Sequence, residues 1–147
     1  ESLWAVAAPS AKLSHKRPVS LDRVAREPFI LPSAPQGLRA AIEHAAAEAG
    51  VTLQVFAETN ALSVQKELVA QGHGWTILPA VGVTQKVERG TLSAAPLASP
   101  GVRRTIVLAA PSSRQATAPV RCGVGVLLAC VKATFDQGDW PDARWLG

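Results

Sequence analysis

Short apolar runs alternate with amphipathic helices along this chain, and that alternation predicts an α/β fold with a mostly parallel sheet. The first sign is Phe29-Ile30-Leu31, an apolar run between Pro28 and Pro32 that reads as a buried strand of a covered sheet. The second is the helix that follows it, in which Leu38, Ala41, Ile42, Ala45 and Ala49 share one face. The third is repetition: Val51–Ala57 reads as a strand, Ala61–Gln71 as a helix, and Trp75–Leu78 as a strand closed by Pro79. Strands joined by short links through helices pair in parallel with right-handed crossovers.

The elements follow in order. Leu3–Ala8 is a strand ended by Pro9, and the polar, basic segment Ser10–Val19 is a crossing loop. Ser20 is suited to cap a short helix over Leu21–Arg26, with Asp22 in its first turn, and Pro28 stops that helix. Ser33 and Gln36 have capping-box spacing at the start of the next helix, with Pro35 in its first turn. That helix runs to about Ala49, where Gly50 supplies a C′ glycine. Thr59 or Asn60 caps the helix Ala61–Gln71, which buries Leu62, Leu68 and Val69 and ends at Gly72-His73-Gly74. Ala80–Glu88 gives one or two helical turns before Gly90, Leu92–Leu97 a short strand, and Pro100-Gly101 a turn. Arg104–Ala109 is a strongly apolar strand broken by Pro111-Ser112-Ser113. Thr117 caps a last helix, Ala118–Phe135, with a buried stripe of Val120, Val124, Leu127, Val131 and Phe135. Val126 and Cys130 lie off that stripe, so this helix is expected to be covered on more than one side. The tail after it shows neither repeat nor periodicity.

Composition narrows the function classes. With 147 residues, 48% hydrophobic and 18% charged, the chain is globular and long enough for one domain or slightly more. No apolar run is expected to span a membrane, and no leader peptide is evident. The chain begins at Glu1, which implies a processed product or a piece of a longer chain. Its net charge of +4 is scattered, with only Lys16-Arg17 and Arg103-Arg104 adjacent. Three phenylalanines and no tyrosine give little to stack on bases, so a nucleic-acid surface is disfavoured and a mild attraction for small anions fits better. Cys122 and Cys130 sit eight residues apart in one helix, roughly 12 Å along its axis, too far for a disulfide. They read as small buried residues of a cytoplasmic protein.

Catalysis finds no support. His15, His44 and His73 have no metal spacing, and the acidic residues form no convincing acid–base pair. Ser33 lacks the nucleophile-elbow pattern, and no phosphate-loop glycine motif is present. No catalytic residue, metal or cofactor is expected.

Six motifs in sequence order carry a resemblance. They are WAVAAP from Trp4, SLDRVAREPFIL from Ser20, LRAAIE from Leu38, LVAQGHGWTILP from Leu68, G-x-L-x-x-x-P-L-x-x-P from Gly90, and RRTIVLAA from Arg103. Together they resemble the effector-binding domain of LysR-type transcriptional regulators, over Leu3 to Phe135. The most specific piece is Leu68–Pro79: helix end, two glycines, buried strand, proline. The resemblance implies a periplasmic-binding-protein-like (type 2) fold, with a small effector in the cleft between two α/β lobes. It implies the complete second lobe at about Leu21–Leu97, with Leu3–Pro9 and Val102–Asp136 as the remainder of the first. The winged helix-turn-helix, the linker helix and the front half of the first lobe have no counterpart here.

On this reading the second lobe offers the cleft two helix N-termini, at Ser33–Gly37 and Thr59–Leu62. Free N–H groups and the macrodipole suit a carboxylate or other anion there. The expected effector contacts are Ser33, Gln36, Gly37, Asn60, Ala61 and Pro79; helix capping alone is the competing reading for Ser33 and Asn60. Arg39 either reaches the cleft or is a solvated helix residue. The resemblance also implies a homodimer; Ala61–Gln71, with Lys66 and Glu67 at its edge, is either the second-lobe face of that pair or an ordinary solvated helix. DNA binding would belong to a domain absent from this chain, and no membrane partner is expected. The alternative function is a solute-binding module of a transporter with the same fold.

Overall fold

The computed structural model describes residues 1–109 and 117–146. The chain divides into two compact units, one of Ser2–Arg104 and one of Glu1 with Thr105–Gly147.

The first unit is a sheet covered on both faces. Its elements are β1 (Leu3–Ala7), α1 (Leu21–Ala25), β2 (Pro28–Leu31), α2 (Gly37–Glu48), β3 (Gln54–Glu58), α3 (Leu62–Ala70), β4 (Thr76–Pro79), α4 (Thr84–Glu88) and β5 (Ser93–Pro96). β2 and β3 pair in parallel, as expected from the strand–helix–strand order. β1 runs antiparallel between β4 and β5. A parallel bridge from Phe29 to Trp75 links the two groups of strands. The sheet is therefore mixed. Leu3–Ala7, expected with the other lobe, is instead the middle strand beside β4 and β5, where Leu3, Ala5, Val6 and Ala7 are buried.

Alternate residues of each strand feed the two faces. Leu3, Ala5, Phe29, Leu31, Ile77 and Ala95 join Val24 and Ile42 on one side. Val6, Ile30, Leu78 and Ala94 join Val69 and Val83 on the other. α2 meets the first side through Ile42, with Leu38, Ala41 and Ala45 half-buried against it. Its buried stripe ends at Ala46; Ala49, counted in the stripe from sequence, is exposed.

Several local expectations hold. Ser20 caps α1, its Oγ accepting from the Arg23 N–H at 3.3 Å. Gly50 has φ +66°, the left-handed geometry of a helix-ending glycine. β3 is shorter than the expected strand and carries an irregularity: Phe29 pairs with Val55 but Ile30 with Ala57, leaving Phe56 as an extra residue. That bulge breaks the alternation read from sequence, and Phe56 is 65% exposed.

α3 departs from expectation in which side chains it buries. Gln65 and Val69 are buried, whereas Leu62, at the first turn, is 45% exposed. The Gln65 amide donates to the Ile30 carbonyl at 3.0 Å and to Thr76 Oγ1 at 2.7 Å, tying α3 to β2 and β4. Gly74 marks a close approach: a Cβ there would lie 2.7 Å from the Pro28 carbonyl oxygen.

The second unit holds α5 (Ala118–Asp136). Thr117 is its N-cap residue but makes no side-chain capping bond. The helix is where expected, but no residue of it is buried, and Cys122 and Cys130 are exposed free thiols. Val120, Leu127 and Val126 are exposed as well. Contrary to the reading from composition, this helix is long and apolar enough to cross a membrane by length and composition, with a mean hydropathy of 1.5. Arg104–Ala109 forms no strand, and Ile106, Val107 and Leu108 are exposed. A strand needs a neighbour to pair with, and among the described residues none pairs with this segment. Pro111-Ser112-Ser113 lies outside the described residues. The tail makes contacts within this unit: the Trp140 indole N–H donates to Glu1 Oε2 at 2.6 Å, and the Phe135 and Trp145 rings lie 6.3 Å apart.

Three substitutions test this packing. Gly74→Ala should lower unfolding stability by about 1–3 kcal/mol in urea titrations. Gly82→Ala, whose added Cβ meets nothing within 4 Å, should change it by no more than about 0.5 kcal/mol. Gln65→Leu should cost about 1–3 kcal/mol, because it leaves a buried carbonyl and a buried hydroxyl without their donor.

Candidate functional site

The carboxyl ends of β2, β3 and β4 lie at one edge of the first unit, because the three strands run parallel. The turns after β2 and β3 meet there. The Ser33 N–H donates to Asn60 Oδ1 at 3.0 Å, across 27 residues of sequence. The structure thus brings Ser33 and Asn60 together.

It does not give them the local roles expected. α2 starts at Gly37, with Gln36 as an extended N-cap residue that makes no side-chain capping bond. The Ser33–Gln36 capping box therefore does not form, and Pro35 precedes the helix instead of lying in its first turn. The residue before a proline resists helical geometry, so Ala34 cannot begin a helix comfortably. Nor does Asn60 cap α3. Ala61 is the N-cap residue, and its own N–H donates to Thr59 Oγ1 at 3.2 Å. With Asn60 turned across to Ser33, Thr59 braces its own turn.

The first turn of α2 is left open. Helix N-termini expose N–H groups that need partners from outside the helix, and Gln36 supplies none. A Cβ on Gly37 would meet nothing within 4 Å, so bare backbone faces free space there. Pro79 ends β4 at the same edge, half-buried and paired with Leu3. The chain enters and leaves the unit at this edge too, through the antiparallel bridge Ser2–Arg103 and a hydrogen bond from the Leu3 N–H to the Val102 carbonyl at 2.8 Å.

Arg39 is the residue that sequence reasoning placed least well. Its side chain is only 11% exposed. Nη1 donates to the Pro32 carbonyl at 3.1 Å and to Glu58 Oε1 at 2.9 Å, and Nε pairs with Glu43. Burial pulls its pKa down, but the hydrogen bonds to Glu43 and Glu58 outweigh that and the net shift is upward. One guanidinium between two carboxylates leaves a negative charge uncompensated. Arg39 is therefore no free cation at this edge. The Arg39–Glu43 spacing of four was the visible signal for this cluster. For Gln65 the signal was a polar residue three and four positions before Leu68 and Val69, on the helix face they share.

Among the described residues no group of His, Cys, Asp or Glu could hold a metal ion. His44 lies beside Glu48 at 3.5 Å and His73 beside Gln71 at 3.3 Å, both at exposed positions.

Comparison with known proteins fits this architecture. A profile of the LysR substrate binding domain matches residues 1–130. The HTH-type transcriptional regulator BbuR of Bordetella bronchiseptica is 30% identical over 141 residues, which covers 96% of this chain and 43% of that protein. The chain thus spans less than half the length of that relative. Among solved structures, the effector-binding domain of QuiR in complex with shikimate superposes with a TM-score of 0.74 at 20% identity, over 90% of this chain and 62% of that one. The Synechocystis CcmR regulatory domain in complex with 2-PG gives 0.68 at 16% identity, over 88% and 62%. The fold is therefore that of these periplasmic-binding-protein-like domains, and the family is regulatory, not catalytic. The chain belongs to the LysR substrate-binding family.

Proposed function

We propose that this chain is the effector-sensing part of a LysR-type transcriptional regulator, and that it holds a small carboxylate or other anion at the carboxyl edge of the unit Ser2–Arg104. One observation carries the reading. The Ser33–Asn60 hydrogen bond joins two strand-to-helix turns, and beside it the first turn of α2 has no cap. Two backbone corners fixed side by side form the polar half of a ligand cleft. Ser33, Gln36, Gly37, Asn60, Ala61 and Pro79 are the proposed contacts. Ala61 contributes least, since its N–H is already engaged by Thr59. The other half of the cleft is assigned to parts of the parent protein beyond this chain, which spans 43% of the BbuR relative.

Ligand binding shifts a regulator only through different affinities for its two states. Lobe closure and subunit pairing supply those states. We place a homodimer contact on α3, where Leu62 and Val64 are exposed beside Lys66 and Glu67. DNA contact is assigned to the rest of the parent protein, working in the cytoplasm without a cofactor. The transporter reading has no specific observation in its favour, and the BbuR relative is a transcriptional regulator by name.

Thermal melting of the intact parent against a panel of small acids, shikimate included, tests this. A true effector at about 100 times its Kd should add about 2.7 kcal/mol of stability. The double variant Ser33→Ala with Asn60→Ala should lose most of that gain. An undiminished gain in the double variant contradicts the proposed site.

A further inference from the structure

The opposite edge of the same unit, at the amino ends of β2 and β4, carries a second concavity. A pocket of about 260 Å³ opens there between Ser10 in the turn Pro9–Ala11, Glu27 at the start of β2, and Gly72, Gly74 and Trp75 before β4. Its wall is fixed. The Trp75 N–H donates to the Pro28 carbonyl at 2.7 Å, and the Trp75 carbonyl accepts from the Ile30 N–H at 2.8 Å. Trp75 is half-buried: it packs against the core around Phe29 and Ile77 and is one of the residues that line the pocket. Gly74 keeps this wall as bare backbone, since no Cβ fits there against Pro28.

Glu27 supplies the charge. It is half-buried, and among the described residues its carboxylate has neither hydrogen bond nor ion pair. The adjacent cation, Arg26, is held by Asp22 at 2.9 Å. A carboxylate without a counter-charge favours a cation that reaches it. An indole face attracts the same groups when they come within about 6 Å. A concave site with a few convergent polar groups is what a small ligand requires.

We propose that this pocket binds a guanidinium or primary ammonium group of a small organic cation, with Glu27 as counter-ion and Trp75 as the aromatic wall. The site is independent of the effector edge and uses none of its residues.

Titrating the isotope-labelled chain with agmatine, followed by amide NMR, tests the proposal. Agmatine should give saturable shifts at Gly72, Gly74 and Trp75, and 1-butanol should not. Glu27→Gln should weaken agmatine roughly tenfold, the loss of one modest charge pair. A capped arginine peptide that binds as well as agmatine would assign the cation to a protein side chain, and a peptide that fails would assign it to a free molecule. Absence of saturable shifts at the three residues overturns the proposal, as does an unchanged titration of Glu27→Gln. If Glu27→Gln loses its dispersed spectrum, the agmatine and butanol titrations of the unmodified chain decide alone.

Discussion

A single hydrogen bond between two turns, Ser33 N–H to Asn60 Oδ1, is the constraint on which the candidate site depends. Without it, the turn after β2 and the turn after β3 are two separate loops. With it, the start of α2 and the start of α3 are held in one frame. Arg39 adds a second clasp from the side, gripping the Pro32 carbonyl and Glu58, one on each strand end. On the proposed reading, a ligand at this edge would meet N–H groups that are already oriented. Little ordering remains to be done on binding, which is where preorganised sites gain affinity.

The frame stands on the sheet beneath it. β2 is its centre, buried at Phe29, Ile30 and Leu31 and paired with β3 on one side and bridged to Trp75 on the other. Gln65 locks α3 to both β2 and β4 with two hydrogen bonds of its amide. A buried polar group that finds its partners fixes position more sharply than apolar contact does, and leaves few alternative packings. The unit Ser2–Arg104 thus contains the means to hold its own edge rigid.

Much of this was legible in the chain. The apolar run Phe29–Leu31, the helix after it and the glycine at Gly50 each carry a local signal that the structure keeps. What was not legible depends on distant partners. Ser33 and Gln36 have the spacing of a capping box, yet Pro35 stands between them and Asn60 competes for the Ser33 N–H from far along the sequence. Local propensity yielded to a tertiary bond. Leu3–Ala7 is apolar in any lobe, and only pairing shows that it lies between β4 and β5. The bulge at Phe56 left no mark in the alternation around it. Periodicity found the helix Ala118–Asp136 but not its exposure, because burial depends on what else is present to cover it.

The central claim is that the turns at Ser33 and Asn60 form one ligand-facing edge. Hydrogen exchange on the intact parent, with and without a saturating acid effector, tests it most directly. The account predicts slowed exchange of amides at Ser33–Arg39 and Asn60–Val64 together, at the same ligand concentration. Protection confined to other segments, with both of these exchanging as before, would contradict it.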